Sequence, residues 1–188
     1  KVEARRHRAL LSGLGACNLA MAKCTIKNLG RQDNAAFMPR ENFAQIPIPQ
    51  IAMDVDTMMI FQGNFADFGY DAPVLWHEFG HGAVYATAAL GFDQIAIDTR
   101  SANNETGAMH EGFEDFIAGA FGGNPDVGTY VGPRIGGTTQ LMGVRKDAFL
   151  RTMDNMQTCP DVLWGEVHQD SVHYSAALWQ ARKQHFMG

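Results

Sequence analysis

The sequence predicts an α+β fold in which a small mixed sheet lies over one helix and further helices lie below it. Two short runs rich in strand-forming residues, near 25–29 and 57–62, predict strands. Longer apolar segments, near 72–90, 104–121 and 171–186, predict helices. Hydrophobic residues make up 46% of the 188 residues and charged residues 19%, so the chain can bury an ordinary core. At this length we expect one domain, or two lobes that share a cleft.

The amino-terminal part is interpreted as helix, strand and loop. A helix is predicted near 2–14, and the first strand near 25–29. The stretch that follows is interrupted by three prolines, so it is expected to be a loop. The second strand, near 57–62, ends this part of the chain.

Three helices are predicted in the remainder. The first, near 72–90, has Pro73 in its first turn, where proline is tolerated, and Gly91 just beyond its end. The second, near 104–121, begins at Asn104, a residue type that favours helix amino termini.

A Gly-rich segment, near 122–143, is expected to be mostly loop and to shape the floor of a cleft or a specificity pocket. The third helix, near 171–186, follows it. Four apolar residues are the predicted core positions of this last helix: Ala177, Leu178, Ala181 and Phe186.

Composition and charge exclude several classes of partner. The formal net charge is −5, and no basic cluster follows the patch Arg5-Arg6-His7-Arg8, so no nucleic-acid partner is expected. No apolar run approaches the roughly 18 residues that a membrane span needs. No signal peptide precedes Lys1, and we interpret the abrupt start as that of a mature or truncated chain.

The pairing of the three cysteines stays open. Cys17 and Cys24 are close enough in the sequence for a small-loop disulfide, which would leave Cys159 unpaired. Buried free thiols are the alternative. No Cys-x-x-Cys pair is present, so a cysteine metal site is not predicted.

The candidate chemistry is concentrated in His77-Glu78-Phe79-Gly80-His81 and in Glu111, thirty positions later. On a helix, residues four apart lie on one face about 6 Å apart, so His77 and His81 can direct two imidazoles at one metal ion. Glu78 lies beside them, close enough to hold a water. Two nitrogens and one carboxylate, with a fourth position open, are typical of a catalytic zinc site. The pattern indicates a zinc hydrolase, with a peptidase as the favoured type.

Asp115 is predicted to support the metal ligands without binding the metal itself. It lies four positions after Glu111, so it can accept a hydrogen bond from a zinc-bound histidine, His77 first, and fix the orientation of that ring. His110 adjoins Glu111 but faces a different side of the helix, and we interpret it as a neighbour and not a ligand. The alternative for the whole pattern is an accidental motif on a solvated helix, or a site whose chemistry has been lost.

Several further segments occur in a fixed order around these motifs. They are Asn34-Ala35-Ala36-Phe37, Met58-Met59-Ile60-Phe61-Gln62-Gly63, Asn104-Glu105-Thr106-Gly107-Ala108-Met109-His110-Glu111, Leu150-Arg151-Thr152-Met153 and Gly165-Glu166-Val167-His168-Gln169-Asp170-Ser171. Together with the His-Glu-x-x-His motif, they resemble the thermolysin and fungalysin families of gluzincin metallopeptidases. The resemblance spans about residues 33–187, and the two metal motifs are its most specific parts.

The resemblance implies how the reaction would proceed. Zinc held by His77, His81 and Glu111 would activate a water, and Glu78 would take its proton as general base and pass it to the leaving amine. His168 would donate a hydrogen bond to the oxyanion. Either Asp161 or Glu166, which both precede His168 in the sequence, would orient the ring of His168.

The resemblance also implies which residues hold the substrate. Asn34 and Ala35 would bind the substrate backbone beside an edge strand, and Arg151 would donate a fork of hydrogen bonds to a substrate carbonyl. The implied partner is a peptide or protein substrate. No Gly-x-Met-Glu-Asn segment of the aminopeptidase branch is present, so an endopeptidase is expected.

The implied architecture is that of a thermolysin-like zincin. Residues 1–188 would form a single metallopeptidase catalytic domain, with an upper lobe of about 1–91 and a lower lobe of about 92–188. Members of these families continue beyond the point corresponding to Gly188, so the lower lobe would be trimmed, compact, or completed by a second chain. The resemblance implies secretion, with which a Cys17–Cys24 disulfide would agree. No residues can be assigned to a Ca²⁺ site.

One departure from the family concerns Ala102, which stands where thermolysin has a tyrosine that reaches the oxyanion. Either another side chain supplies that donor, or His168 and zinc act without it. Tyr174 and His173 begin a helical run, so we expect them to pack in the core.

Two other functions are considered beside the peptidase. Ala102 and the short carboxyl end favour a zinc-binding scaffold or assembly protein without activity, whereas the retained Glu78 argues against it. A zinc hydrolase that acts on other bonds fits less well, because the Asn34 segment suits an extended peptide.

Overall fold

The computed structural model describes residues 23–27, 33–43, 55–88, 90, 96–97, 102–135 and 149–186. β-Strands and α-helices occur together in these ranges, so the α+β class is confirmed. The predicted helix near 2–14 and positions 136–143 of the Gly-rich segment lie outside the described residues. The chain splits into two compact units, Lys1–Tyr70 and Asp71–Gly188. The predicted lobes, about 1–91 and 92–188, stay a prediction.

The first unit contains a three-stranded mixed sheet. Its central strand is β3 (Asp56–Ile60), with β1 (Lys23–Lys27) parallel on one side and β2 (Ala35–Met38) antiparallel on the other. Both predicted strands are therefore present, within two residues of their predicted bounds. Met59 and Ile60 are buried, which gives the central strand its core contacts.

The predicted loop after the first strand is wrong at β2. Ala35 pairs with Ile60, and the carbonyl of Asn34 accepts a hydrogen bond of 3.3 Å from the amide of Phe61. Four residues are too few to show an alternating pattern, and pairing with a buried strand supplies the preference that the local sequence lacks. The short helix α1 (Arg40–Phe43) follows. In the described sheet, β2 is an edge strand.

The second unit is mainly helical. Strand β4 pairs antiparallel with β5, and β6 with β7. The part of the chain that the structure describes has no helix long and apolar enough to cross a membrane. The elements are α2 (Ala72–Thr87), β4 (Ala96–Ile97), β5 (Ala102–Asn103), α3 (Glu105–Gly122), β6 (Asp126–Val127), α4 (Gly132–Ile135), β7 (Arg151–Thr152), α5 (Val167–Asp170) and α6 (Val172–Phe186).

Asp71 fixes the start of α2 in two ways. Its Oδ1 accepts a hydrogen bond of 3.3 Å from the amide of Val74, which caps the helix. Its Oδ2 accepts hydrogen bonds from the amides of Tyr130 (2.7 Å) and Val131 (3.0 Å). The carboxylate is 1% exposed, so it joins the first turn of α2 to the segment before α4 inside the protein. The helix ends at Thr87, three residues before the predicted end.

The long helices α2 and α3 pack closely, and glycine makes this approach possible. A Cβ at Gly80 would lie 3.0 Å from Cγ and 3.3 Å from Cα of Glu114 on α3. Asn104 caps α3 by accepting a 2.8 Å hydrogen bond from the amide of Gly107, as predicted from its residue type. The helix ends at Gly123, whose φ of 66° is left-handed.

The predicted core face of α6 is wrong. Ala177, Ala181 and Phe186 are exposed, and Leu178 is half-buried. The buried positions are instead Val172, Ser175, Ala176 and Trp179. Small residues on this face allow α6 to approach α3, where a Cβ at Gly112 would lie 2.9 Å from that of Tyr174. Trp179 is buried on this face whereas Phe186 is exposed, so apolar size alone does not mark the buried face.

Candidate metal centre

Two turns of α2 and one of α3 bring three potential metal ligands together. His77 Nε2 lies 3.1 Å from His81 Nε2 and 3.0 Å from Glu111 Oε2, and His81 Nε2 lies 3.5 Å from Glu111 Oε1. All three side chains are buried. Tetrahedral ligands at zinc distances of 2.0–2.1 Å would be about 3.3–3.4 Å apart, close to these separations. The group can hold a metal ion.

The surroundings of this cluster support metal binding more than a hydrogen-bonded core. Two imidazole nitrogens and a carboxylate face one another, and Glu111 Oε2 is buried without a hydrogen-bond partner in the described part of the chain. If each ring keeps its proton on Nδ1, the three atoms present only lone pairs to one another. Such an arrangement is unfavourable unless a cation or a proton lies between them.

Asp115 and Arg151 form a layer behind His77. Asp115 Oδ1 lies 2.9 Å from His77 Nδ1, at hydrogen-bonding distance although the angle is not ideal. Arg151 donates from Nε to Asp115 Oδ2 at 2.8 Å and from an Nη to Oδ1 at 2.7 Å. Burial raises the pKa of Asp115, but the charge and hydrogen bonds of Arg151 hold it well below its usual range. The guanidinium fork is thus directed at Asp115, and binding of substrate by Arg151 stays a prediction.

Glu78 is positioned as a buried carboxyl on the same helix as the two histidines. It is 5% exposed, and its Oε2 has no hydrogen-bond partner among the described residues. Burial raises the pKa of Glu78 to about 7, although the positive charge of a protonated His77 partly opposes this. A carboxyl with that pKa exchanges a proton readily near neutral pH.

His168 lies close to the cluster, although it is 57 positions from Glu111 in the sequence. Its Nε2 is 3.4 Å from Glu111 Oε2, and its Nδ1 is 2.6 Å from Glu166 Oε1. Glu166, and not Asp161, is therefore the carboxylate in contact with the ring. Glu166 also caps α5 by accepting from the amide of Gln169 at 2.9 Å. Asp170 holds the preceding loop through the amides of Trp164 and Gly165.

In the metal-free cluster, the pKa values of the two histidines shift in opposite directions. Burial lowers the pKa of His77, but contacts with Asp115 and Glu111 raise it to about 10. Burial lowers the pKa of His81 to about 3; the charge of Glu111 opposes this, but the charges of His77 and His110 lower the pKa further. Burial raises the pKa of Glu111, yet the charges of the histidines hold it well below its usual range. The negative charge of Glu111 is thus available for a cation.

A second buried group lies on the other side of the His81 ring. His81 Nδ1 is 3.1 Å from His110 Nδ1 and 3.7 Å from Glu114 Oε1, and the last two atoms are 3.0 Å apart. This group can also hold a metal ion. Glu114 was not among the residues predicted from the sequence, although it lies four positions after His110 on the same helix. That spacing was the available signal.

The other predicted residues either pack elsewhere in the second unit or stay untested. Asn34 and Ala35 belong to the first unit, whereas the metal ligands belong to the second. Tyr174 donates to Glu105 at 2.9 Å and, with His173, lines an apolar pocket of about 190 Å³ between α3 and α6. Both side chains are half-buried at this pocket and do not lie in the core as predicted. Cys159 is an exposed free thiol, and Cys17 lies outside the described residues.

Comparison with known proteins gives no independent guide to function. No protein-family model matches the chain, and no curated protein sequence is significantly similar to it. We therefore infer the function from the residues and distances of the site.

Proposed function

We propose that this protein is a zinc-dependent endopeptidase of the gluzincin type, with the thermolysin-like fold that its motifs resemble. The observation that carries the proposal is the convergence of His77, His81 and Glu111 at separations of 3.0–3.5 Å. Two nitrogens and one carboxylate oxygen leave a fourth position open, which is the ligand set of catalytic zinc sites. Zinc bound there would polarise a substrate carbonyl and lower the pKa of a water toward neutrality.

Glu78 supplies the proton transfers in this proposal. Its carboxylate accepts a proton from the attacking water and returns that proton to the leaving amine, so one group acts as base and then as acid. Burial raises the pKa of Glu78 to about 7 in the metal-free protein, so this carboxyl can both lose and carry a proton. A structural metal site would not need such a group.

His168 supplies a hydrogen bond to the oxygen of the scissile carbonyl as negative charge develops there. Glu166 accepts at His168 Nδ1 and holds the ring so that Nε2 faces the ligand cluster. If Nδ1 donates its proton to Glu166, donation from Nε2 as well requires the doubly protonated ring. Because Ala102 has no donor, the proposed reaction depends on His168 more than in a site with a second donor.

An extended peptide is the substrate class that the first unit favours. Strand β2, which carries Ala35, is an edge strand of the described sheet and pairs there only with β3. An edge strand can pair with an extended peptide through backbone hydrogen bonds. Asn34, at the start of that strand, is proposed to bind the same peptide through its side chain.

The decisive test combines zinc content with cleavage of a denatured protein. Glu78→Gln should keep the metal and lose most turnover, because general acid–base catalysis contributes about 10²–10⁴-fold. Glu105→Gln is the matched control, since Glu105 is an exposed carboxylate at the start of α3, and it should cleave at the parent rate. Zinc bound at one equivalent without cleavage by the parent would support the scaffold function instead.

A further inference from the structure

The group formed by His81, His110 and Glu114 has the features of a binding site that the proposed reaction does not use. Its three converging atoms are separated by 3.0, 3.1 and 3.7 Å, much like the atoms of the first cluster. His110 and Glu114 are 0% exposed. Both come from α3, and His81 comes from α2, so the group spans the contact between the two helices.

The burial of the Glu114 carboxylate is the observation that points to a bound ligand in this group. It is a carboxylate without solvent contact, and neither oxygen accepts a hydrogen bond of good geometry within the described ranges. His110 Nδ1 is near Glu114 Oε1 but also faces His81 Nδ1 at 3.1 Å. An ionised or neutral carboxyl in such a position is costly unless a donor or a cation compensates it.

The protons available to the three side chains cannot satisfy all of these contacts. If His81 binds a metal through Nε2, its proton is on Nδ1 and is donated to His110 Nδ1. The single lone pair of His110 Nδ1 is then occupied, so this nitrogen cannot interact favourably with Glu114. If His110 instead carries the proton on Nδ1 and donates it to Glu114, two N–H groups oppose each other across 3.1 Å.

We propose that His81 Nδ1, His110 Nδ1 and Glu114 bind a second Zn²⁺ ion, so that the ring of His81 bridges two metal ions. On binding, the His81 ring gives its Nδ1 proton to solvent, and both of its nitrogens then donate lone pairs to zinc. His110 keeps its proton on Nε2, and Glu114 ligates as the carboxylate. Imidazole and carboxylate are suitable ligands for zinc and for Cu²⁺, which serves as a spectroscopic substitute.

The second ion acts as a link between helices and not as a reaction centre. Its ligands are fully or nearly fully buried, so a substrate has no access to it. It would hold α2 against α3 at the level of Gly80 and fix the ring of His81 from behind. The inference rests on the first metal site of the proposed function but is independent of peptide hydrolysis.

Metal stoichiometry tests the inference directly. The metal-free chain is loaded with Zn²⁺, freed of excess metal, and measured by native mass spectrometry and by elemental analysis. We expect two zinc ions per chain for the parent and for Glu78→Gln, and one for Glu114→Gln. One ion in the parent, or two in Glu114→Gln, would overturn the proposal.

Loading the parent with Cu²⁺ keeps the test independent of whether Glu114→Gln folds. Two Cu²⁺ ions bridged by one imidazolate couple magnetically, so the parent should show the spectrum of a coupled pair. Glu111→Gln weakens the first site, and at one equivalent it should show an isolated Cu²⁺ signal. Two uncoupled signals in the parent would exclude the bridge. Absent cleavage with two coupled ions would contradict the peptidase alone, whereas cleavage with one ion would contradict this inference alone.

Discussion

Replacing Arg151 with methionine should strongly destabilise the protein, because it leaves the Asp115 carboxylate buried without its main partner. Asp115 has a side chain that is 1% exposed and accepts two hydrogen bonds, of 2.7 and 2.8 Å, from the guanidinium. Removal of one member of such a buried pair typically costs about 3–5 kcal/mol. For a chain of this size, that loss would lower the melting temperature by about 6–20 °C.

Urea unfolding of the metal-free protein measures this effect without a contribution from zinc. Lys183→Met is the matched control, because Lys183 pairs with Asp154 at 2.8 Å but both side chains are exposed by more than a third. That variant should change the free energy of unfolding by less than about 1 kcal/mol. The double variant Arg151→Met with Asp115→Asn should recover part of the loss, since it buries no charge. Equal small effects of Arg151→Met and Lys183→Met would refute the reasoning.

Three further predictions follow from the same site. Asp115→Asn should weaken zinc binding by about 10–100-fold in competition with a chelator, and unchanged affinity would show that Asp115 does not orient His77. His168→Ala should lower kcat by about 10²–10³ with a small change in KM, and a loss confined to KM would exclude the oxyanion role. Because the pKa of Asp115 is lowered in the folded state, its contribution to stability is complete above its unfolded value of about 3.9 and disappears as the pH falls through its folded value. Acid titration of the metal-free parent should therefore show a steeper loss of stability below about pH 4 than titration of Asp115→Asn.

The placement of the candidate residues within each helix was predictable from the sequence because it depends on local helical geometry. His77 and His81 lie four positions apart on α2, and Asp115 lies four positions after Glu111 on α3. These spacings place pairs of side chains on one face whatever the rest of the fold does. The contact between Asp115 and His77, at 2.9 Å, agrees with the predicted pairing.

Features that depend on contacts between distant segments were not predictable in the same way. Strand β2 forms against β3, and the buried face of α6 is set by the close approach of α3 at Gly112. The guanidinium of Arg151 is directed at a carboxylate 36 positions away. No periodicity in the sequence encodes such a partner, because the partner is selected by packing.

The close approach at Gly80 has a consequence for how this protein can change by mutation. A methyl group at Gly80 would meet the side chain of Glu114 at 3.0 Å and also its Cα at 3.3 Å. Shortening Glu114 relieves the first contact but not the second, which belongs to the backbone. Alanine at Gly80 would therefore require α2 and α3 to shift by a few tenths of an ångström, and a library of substitutions should return it mainly together with a smaller residue at Glu114. Sequence variation at these two positions is therefore coupled, because a substitution at Gly80 on α2 favours a compensating substitution at Glu114 on α3.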